Sequence, residues 1–259
     1  MEMRFQHAIV RPPGDEFADG LTSSGEGRPD VAKAATQHAA YCQALRACGL
    51  TVHEMRAAEG YPDGTFVEDT AIVAARVAIA TRPGAESRRG EVPSVAAMLA
   101  RFRGNLESIE PPGTLDGGDI CQVDEHFLIG LSARTNEAGA AQLRAILSRH
   151  AYTSSVVDMR AQQKFLHLKS GIAYLDEHCF VGAHDLQRLC GIADEEFLEV
   201  ADDEGYAANC IRVNDRVLIA AGYPAMAQAL MARGYRIAAL DMSEFRKMDG
   251  GLSCLSLRF

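Results

Sequence analysis

A chain of 259 residues, 47% hydrophobic and 24% charged, is long and apolar enough to bury a sizeable core and has the composition of an ordinary globular protein. Its formal net charge of -9 argues against a nucleic-acid partner, which requires a basic face, and is compatible with a cationic small molecule. The seven cysteines are odd in number and form no C-x-x-C pair, so neither a zinc knuckle nor a dithiol redox motif is supported, and a reducing, cytoplasmic setting is expected.

The N-terminal stretch MEMRFQHAIVRPP has charges but no apolar run of roughly 7–15 residues, so it does not read as a signal peptide. No segment approaches the roughly 20 apolar residues of a membrane helix, and no membrane partner is expected. FQHAIVR reads as a strand without a hairpin partner. DGLTSSGEGRPD, Asp19 to Asp30, reads as a solvated connection or a lid. VAKAATQHAAYCQALRACG follows as a helix, with Cys42 and Cys48 as small buried hydrophobes. Four nine-residue segments then align without gaps: IVAARVAIA from Ile72, QVDEHFLIG from Gln122, YLDEHCFVG from Tyr174 and RVNDRVLIA from Arg212. Each predicts a β-hairpin with a two-residue turn such as Asp124–Glu125 or Asn214–Asp215. His126 and His178 fall at these turns and should be solvated. The starts lie 50, 52 and 38 residues apart, and helical patterns such as NEAGAAQLRAILSRH, with His150 at its dipole's negative end, fill the gaps. Leu252 to Phe259 reads as one strand. Its pairing with FQHAIVR would close a ring of five units in a single domain spanning residues 1–259.

The repeat ranks the polar residues. Three positions before each nonapeptide stand Asp69, Asp119, Gly171 and Asn209, which the hairpin pattern makes the starts of first strands. Equivalent positions in a radial repeat converge near the axis. Glu68, Asp69, Asp116, Asp119, His167, Asn209, Asp249 and Cys254 are therefore candidates for one site, from which a Cys–His–carboxylate constellation can be assembled. Taken singly, each has an ordinary alternative. Cys254 reads as a core thiol, His167 as a structural residue in an alternating strand KFLHLKSG, and Asp116 and Asp119 as turn formers around Gly117–Gly118.

Ordered motifs extend from DGLTSS near Asp19 to the last residue: DGTFVED (Asp63 to Asp69), IATRPGAESRRGE (Ile79 to Glu91), TLDGGD (Thr114 to Asp119), IGLSARTNEAGA (Ile129 to Ala140), LHLKSG (Leu166 to Gly171), YAANCI (Tyr206 to Ile211) and KMDGGLSC (Lys247 to Cys254). Together they resemble dimethylarginine dimethylaminohydrolase, of the guanidine-modifying superfamily. The resemblance implies an α/β fold, a five-bladed α/β propeller (pentein) of ββαβ units with pseudo-fivefold symmetry. It implies Cys254 as nucleophile, His167 as general acid/base and Asp116, where related hydrolases often have Glu, as the carboxylate orienting the histidine. Glu68 and Asp69 resemble the acids that hold the guanidinium. Asp63 and the backbone carbonyl of Leu21 resemble contacts to the substrate amino group, and Arg88 and Arg134 the pair that grips the α-carboxylate. Asp249 resembles an acid beside the nucleophile. The implied reaction is hydrolysis of asymmetric dimethylarginine, and of monomethylarginine, to citrulline without metal or organic cofactor. The resemblance also implies a homodimer.

Three other readings compete. An arginine or agmatine deiminase leaves the helical insertion of the former unaccounted for, and the paired arginines of this chain idle in the latter. A generic Cys–His peptidase does not explain Glu68–Asp69. A non-catalytic binding protein for a cationic amino acid does not need the cysteine.

Overall fold

A computed structural model describes residues 4–162, 164–176 and 179–259. Strand β1 (His7–Val10) leads through helix α1 (Val31–Ala47) to β2 (Thr51–Glu54). The chain then writes the same unit four more times. β3 (Ala71–Val73), β4 (Ala78–Ala80), α2 (Val92–Leu99) and β5 (Leu106–Ser108) form one. β6 (Ile120–Val123), β7 (His126–Leu131), α3 (Glu137–Arg149) and β8 (Thr153–Asp158) form the next. β9 (Ile172–Asp176), β10 (Cys179–Gly182), α4 (His184–Cys190) and β11 (Phe197–Glu199) are followed by β12 (Ile211–Val213), β13 (Arg216–Ala220), α5 (Pro224–Ala232) and β14 (Ile237–Leu240). After α6 (Ser243–Arg246), β15 (Leu257–Arg258) returns to β1, antiparallel to it. The result is five three-stranded sheets. In each, the first two strands are antiparallel and the third runs parallel to the second after a helical crossover. This is the five-bladed α/β propeller expected from the sequence.

Local chemistry sets the element ends. Asp30 caps α1 by accepting from the Lys33 N–H at 3.0 Å, and Asn136 caps α3 by accepting from the Gly139 N–H at 2.8 Å. Asp124 and Asn214 take left-handed φ of 51° and 54° in the two-residue turns, the conformation that matches hairpin twist. Asn214 also closes the ring. Its Oδ1 accepts from the Phe5 N–H at 2.9 Å, and its Nδ2 donates to Phe5 O at 3.1 Å and Cys48 O at 2.8 Å, joining the fifth blade to the first.

The apolar core lies in the seams between blades. Alternate residues of a strand face opposite neighbours. Phe127, Ile129 and Leu131 of β7 pack with Ile72 and Ile79 of the second blade. Leu128, between them, packs with Ile172 and Phe180 of the fourth. Such seams join each adjacent pair of blades, the first and fifth through Ala8, Val10, Ile211 and Leu218. A single blade therefore leaves an apolar face uncovered on each side, and burial is completed only when the ring closes.

Several local expectations are corrected. Leu252 to Phe259 is not one strand: Ser253–Leu255 form a 3-10 turn, the strand is confined to Leu257–Arg258, and Phe259 extends the pairing through backbone hydrogen bonds with His7. KFLHLKSG is not a strand either, since Leu168–Ser170 form a 3-10 turn after His167. The first strands begin one or two residues beyond Asp69, Asp119, Gly171 and Asn209, each of which lies within, ends or directly follows such a turn. Val67–Thr70, Gly117–Asp119, Leu168–Ser170, Asp202–Ala208 and Ser253–Leu255 thus occupy one position in the five blades. His126 is not merely solvated, as its ring nitrogens meet Thr153 Oγ1 at 2.7 Å and Ser155 Oγ at 2.9 Å. His178 lies outside the described residues.

Asn214→Ala removes three hydrogen bonds and places a Cβ-bearing residue without a stabilising side chain in a left-handed turn. It should lower unfolding free energy by about 2–4 kcal/mol. Urea unfolding measures this, and kcat/KM should be unchanged because the turn is remote from the cluster described below.

Candidate active site

The five 3-10 turns meet around the ring's centre and present polar side chains there. A short 3-10 turn leaves backbone groups uncommitted, which suits it to holding buried polar residues. The turn Gly117–Asp119 comes close to the others. A Cβ on Gly118 would lie 2.8 Å from His167 Cγ, so glycine is required for the histidine to pack there. Gly84 likewise packs against the Arg134 backbone and donates its N–H to Asp116 Oδ1 at 2.9 Å.

His167 is buried, with Nε2 3.0 Å from Asp116 Oδ2 and 4.0 Å from Asp69 Oδ1. Burial alone would lower its pKa. The charges of Asp69, Asp119 and Asp116 outweigh that and hold it up at about 9. Asp69 is also buried, but His167 and Arg88 beside it bring it down to about 2. Cys254 is half-buried and is a free thiol. Burial, and next the negative charges of Glu68 and Asp69, push its pKa up to about 12. In the free protein at neutral pH the pair is therefore imidazolium and thiol.

One cavity of about 30 Å³ is lined by Leu21, Asp63, Asp69, Arg88, Arg134, His167, Asp249 and Cys254, with Phe66, Leu166 and Met248 as an apolar wall. Eight of the ten residues to which the resemblance gives roles thus share it, whereas Asp119 and Asn209, the other two candidates from the repeat, do not line it. Asp116 stands behind His167. Glu68 lies beneath, where Oε1 accepts from Lys169 Nζ at 2.6 Å and Oε2 from Ser253 Oγ at 2.8 Å. Glu68, Lys169 and Ser253 also line a separate cavity of about 1350 Å³ running through the ring. The ion pair stands between the two spaces.

The two arginines differ in environment. Arg88 is buried, and four of its five N–H groups are committed to Glu91 Oε1 and Oε2, Asp69 Oδ2 and Phe66 O, at 2.5–3.1 Å. Only one Nη1 proton remains for a ligand. The Arg134 guanidinium makes no hydrogen bond or ion pair among the described residues and borders the cavity. The loop Asp19–Asp30 is laid over the cavity. The Leu21 N–H donates to Asp63 Oδ1 at 3.0 Å, the Ser23 N–H to Asp249 Oδ2 at 2.5 Å, and Thr22 Oγ1 to Lys247 O at 2.7 Å.

Asp69, Asp116 and His167 offer ligand atoms within 4.8 Å of one another, a spacing open to a metal ion. Each of their carboxylate oxygens already accepts a hydrogen bond: those of Asp69 from Arg88 and the Gly118 N–H, those of Asp116 from the Gly84 N–H and His167. The triad reads as a compensated ion cluster. Sequence reasoning passed over Lys169 and Ser253, which flank His167 and Cys254 in LHLKSG and KMDGGLSC. It also passed over the apolar wall of Phe66, Leu166 and Met248, whose only signal was adjacency to motif acids.

The fold and the site together define a guanidine-modifying type of α/β propeller with a cysteine–histidine–carboxylate centre. The arginine deiminase family model matches residues 91–194. The chain is 47% identical over 256 residues to N(G),N(G)-dimethylarginine dimethylaminohydrolase of Pseudomonas aeruginosa, covering 98% of this chain and all of that one. It is 36% identical to the Streptomyces coelicolor enzyme of the same name, covering 99% and 98%. The solved structure of a cysteine-to-serine mutant of the Pseudomonas enzyme complexed with citrulline superposes with a TM-score of 0.96 at 46% identity, over 99% of this chain and 100% of that one. The chain belongs to the N(G),N(G)-dimethylarginine dimethylaminohydrolase family.

Charge linkage gives a stability test. The pKa of His167 is about 9 against an ordinary 6.5, so its charged form stabilises the fold fully below pH 6.5. That contribution, on the order of 3 kcal/mol, is lost as pH rises toward 9. His167→Gln should flatten the fall in unfolding free energy between pH 6.5 and 9, measured by denaturant titration at fixed ionic strength. An unchanged slope in the variant would assign the fall to another group.

Proposed function

We propose that this chain hydrolyses asymmetric dimethyl-L-arginine, and N(ω)-monomethyl-L-arginine, to L-citrulline and the methylated amine, with Cys254 as nucleophile and His167 as acid/base. The observation that carries the reading is a thiol and an imidazolium on one cavity that also holds three acids, Asp63, Asp69 and Asp249, and an uncommitted arginine, Arg134. A free amino acid with a guanidinium side chain matches that array. Its guanidinium faces Asp69, its amino group the Asp63–Leu21 corner, and its α-carboxylate Arg134, with the one free Arg88 donor beside it. The citrulline in the relative's structure supports the product.

The chemistry follows from the charges. A guanidinium carbon is a poor electrophile because the cation is delocalised. Carboxylates on its nitrogens localise the charge and fix the plane for attack. The same cation offsets the field of Glu68 and Asp69, which holds the Cys254 thiol above its ordinary range, so binding promotes loss of the thiol proton. The thiolate adds to the carbon to give a tetrahedral adduct. His167, protonated and oriented by Asp116, donates to the departing dimethylamine and leaves a covalent S-alkylthiouronium on Cys254. Neutral His167 then takes a proton from water, hydroxide adds, and the C–S bond breaks as the new hydroxyl gives its proton to solvent, releasing citrulline and the thiolate. Asp249 anchors the Asp19–Asp30 loop through Ser23. A space of about 30 Å³ is too small for an amino acid, so in this reading the loop moves aside to admit one.

Product analysis with arginine, monomethylarginine and asymmetric dimethylarginine tests the reading. Citrulline with dimethylamine from the last is expected. Citrulline and ammonia from arginine alone would point to a deiminase instead. Cys254→Ser should lose turnover while retaining ligand binding, and mass spectrometry of acid-quenched wild type should place the adduct on Cys254 rather than on any of the other six cysteines.

Arg134→Ala should raise KM for asymmetric dimethylarginine about 10- to 150-fold, the worth of a charged hydrogen bond. Its decarboxylated analogue should be affected little. Equal losses for both compounds would make Arg134 a support of the fold.

A further inference from the structure

Asp119 is fully buried at the centre of the ring and the reaction just described does not use it. We propose that Asp119 is a positioning residue that couples recognition of the substrate's α-carboxylate by Arg134 to the placement of His167. This rests on the functional reading above.

Asp119 accepts from three places at once. Oδ2 takes the hydroxyls of Ser132 and Thr135, both at 2.6 Å, and Oδ1 takes the Leu168 N–H at 3.1 Å. Each donor is tied to a residue of the site. Ser132 Oγ accepts from the Arg134 N–H at 2.9 Å and the Thr135 N–H at 3.2 Å, shaping the loop that presents the guanidinium. Thr135 Oγ1 accepts from the Asp116 N–H at 3.2 Å, fixing the residue whose carboxylate holds His167. Leu168 directly follows His167. One carboxylate therefore sets the Arg134 loop, the Asp116 backbone and the turn after His167.

The hydrogen-bond directions leave little freedom. Ser132 Oγ and Thr135 Oγ1 each accept from backbone N–H groups, so their own protons point to Asp119. With the Leu168 N–H, three donors converge, and only an acceptor without protons satisfies them all. An ionised carboxylate does so. An amide of the same size must turn an NH₂ toward at least one donor. The raised carboxyl pKa of Asp119, from burial, is held in check by His167, Ser132 and Thr135.

The test compares asymmetric dimethylarginine with its decarboxylated analogue in single variants and in variants combined with Arg134→Ala. Ser132→Ala cuts the arm to Arg134 and frees the Thr135 N–H, but leaves Thr135 Oγ1 joined to Asp119 and to the Asp116 N–H; it should raise KM for the amino acid about 10-fold with kcat within 3-fold, and leave the analogue unchanged. Asp119→Asn should raise KM for the amino acid at least 10-fold and also lower kcat for both compounds about 10-fold or more. In an Arg134→Ala background the KM effect of Asp119→Asn should vanish while its kcat effect persists, the non-additivity expected of residues acting in series. Should Asp119→Asn not fold, Thr135→Val carries the test through the shared arm. Its KM effect should likewise vanish without Arg134. Effects that multiply independently, or fall equally on both compounds, overturn the coupling. Wild type that turns over dimethylarginine beside unaltered Ser132 and Asp119 variants overturns the role of Asp119 alone. Wild type that does not turn it over overturns the functional reading and this one with it.

Discussion

Taking a histidine out of water ordinarily strips it of its proton, because the low-dielectric interior penalises the charged form. His167 escapes this because Asp69, Asp116 and Asp119 surround it. The rest of the site depends on that compensation. Carboxylates packed so closely repel one another and need cations. Arg88 serves Asp69 and Glu91, Lys169 serves Glu68, and His167 serves the three aspartates. Burial raises the pKa values of Asp63, Glu91 and Asp119, and the nearby cations Arg88 and His167 oppose that rise. In the reading proposed above, a cationic guanidinium adds further positive charge to this acidic pocket.

The same electrostatics separates resting from reactive states. Burial, Glu68 and Asp69 hold Cys254 as a thiol in the free protein. In the mechanism proposed above, a bound cation offsets that field, so reactivity arises where a substrate is present. The loop Asp19–Asp30 adds a steric condition, since Asp63 and Asp249, which border the cavity, also receive the loop's backbone.

Much of this was legible in the sequence because the fold is a repeat. Period-2 patterns at four spaced nonapeptides specify hairpins, and a strand at each end specifies ring closure. Hairpin turns at Asp124 and Asn214 are read from residues that tolerate left-handed backbone. The 3-10 turns were not legible. LHLKSG alternates like a strand, but Asp119 takes the Leu168 N–H and Ser170 Oγ caps the His167 N–H, so the backbone turns instead. The same holds for Ser253, whose N–H and hydroxyl are bound by Asn209 and Glu68, over 40 and over 180 residues away in the chain.

The sequence by itself determined the units, their number and their order, since these follow from periodicity, and its motifs singled out the residues proposed to carry the chemistry. Only the tertiary structure decided which charges meet. Arg88 and Arg134 both lie between the second strand and the helix of successive blades, yet one is consumed by Glu91 and Asp69 while the other has no hydrogen-bond or ion-pair partner among the described residues. Glu68 and Asp69 are neighbours in the chain, yet one faces Lys169 and the central channel and the other faces His167. Such differences arise because the five blades supply non-identical side chains to one small volume. The partner of each buried charge is then set by distance and desolvation across blades, quantities that no single stretch of sequence contains.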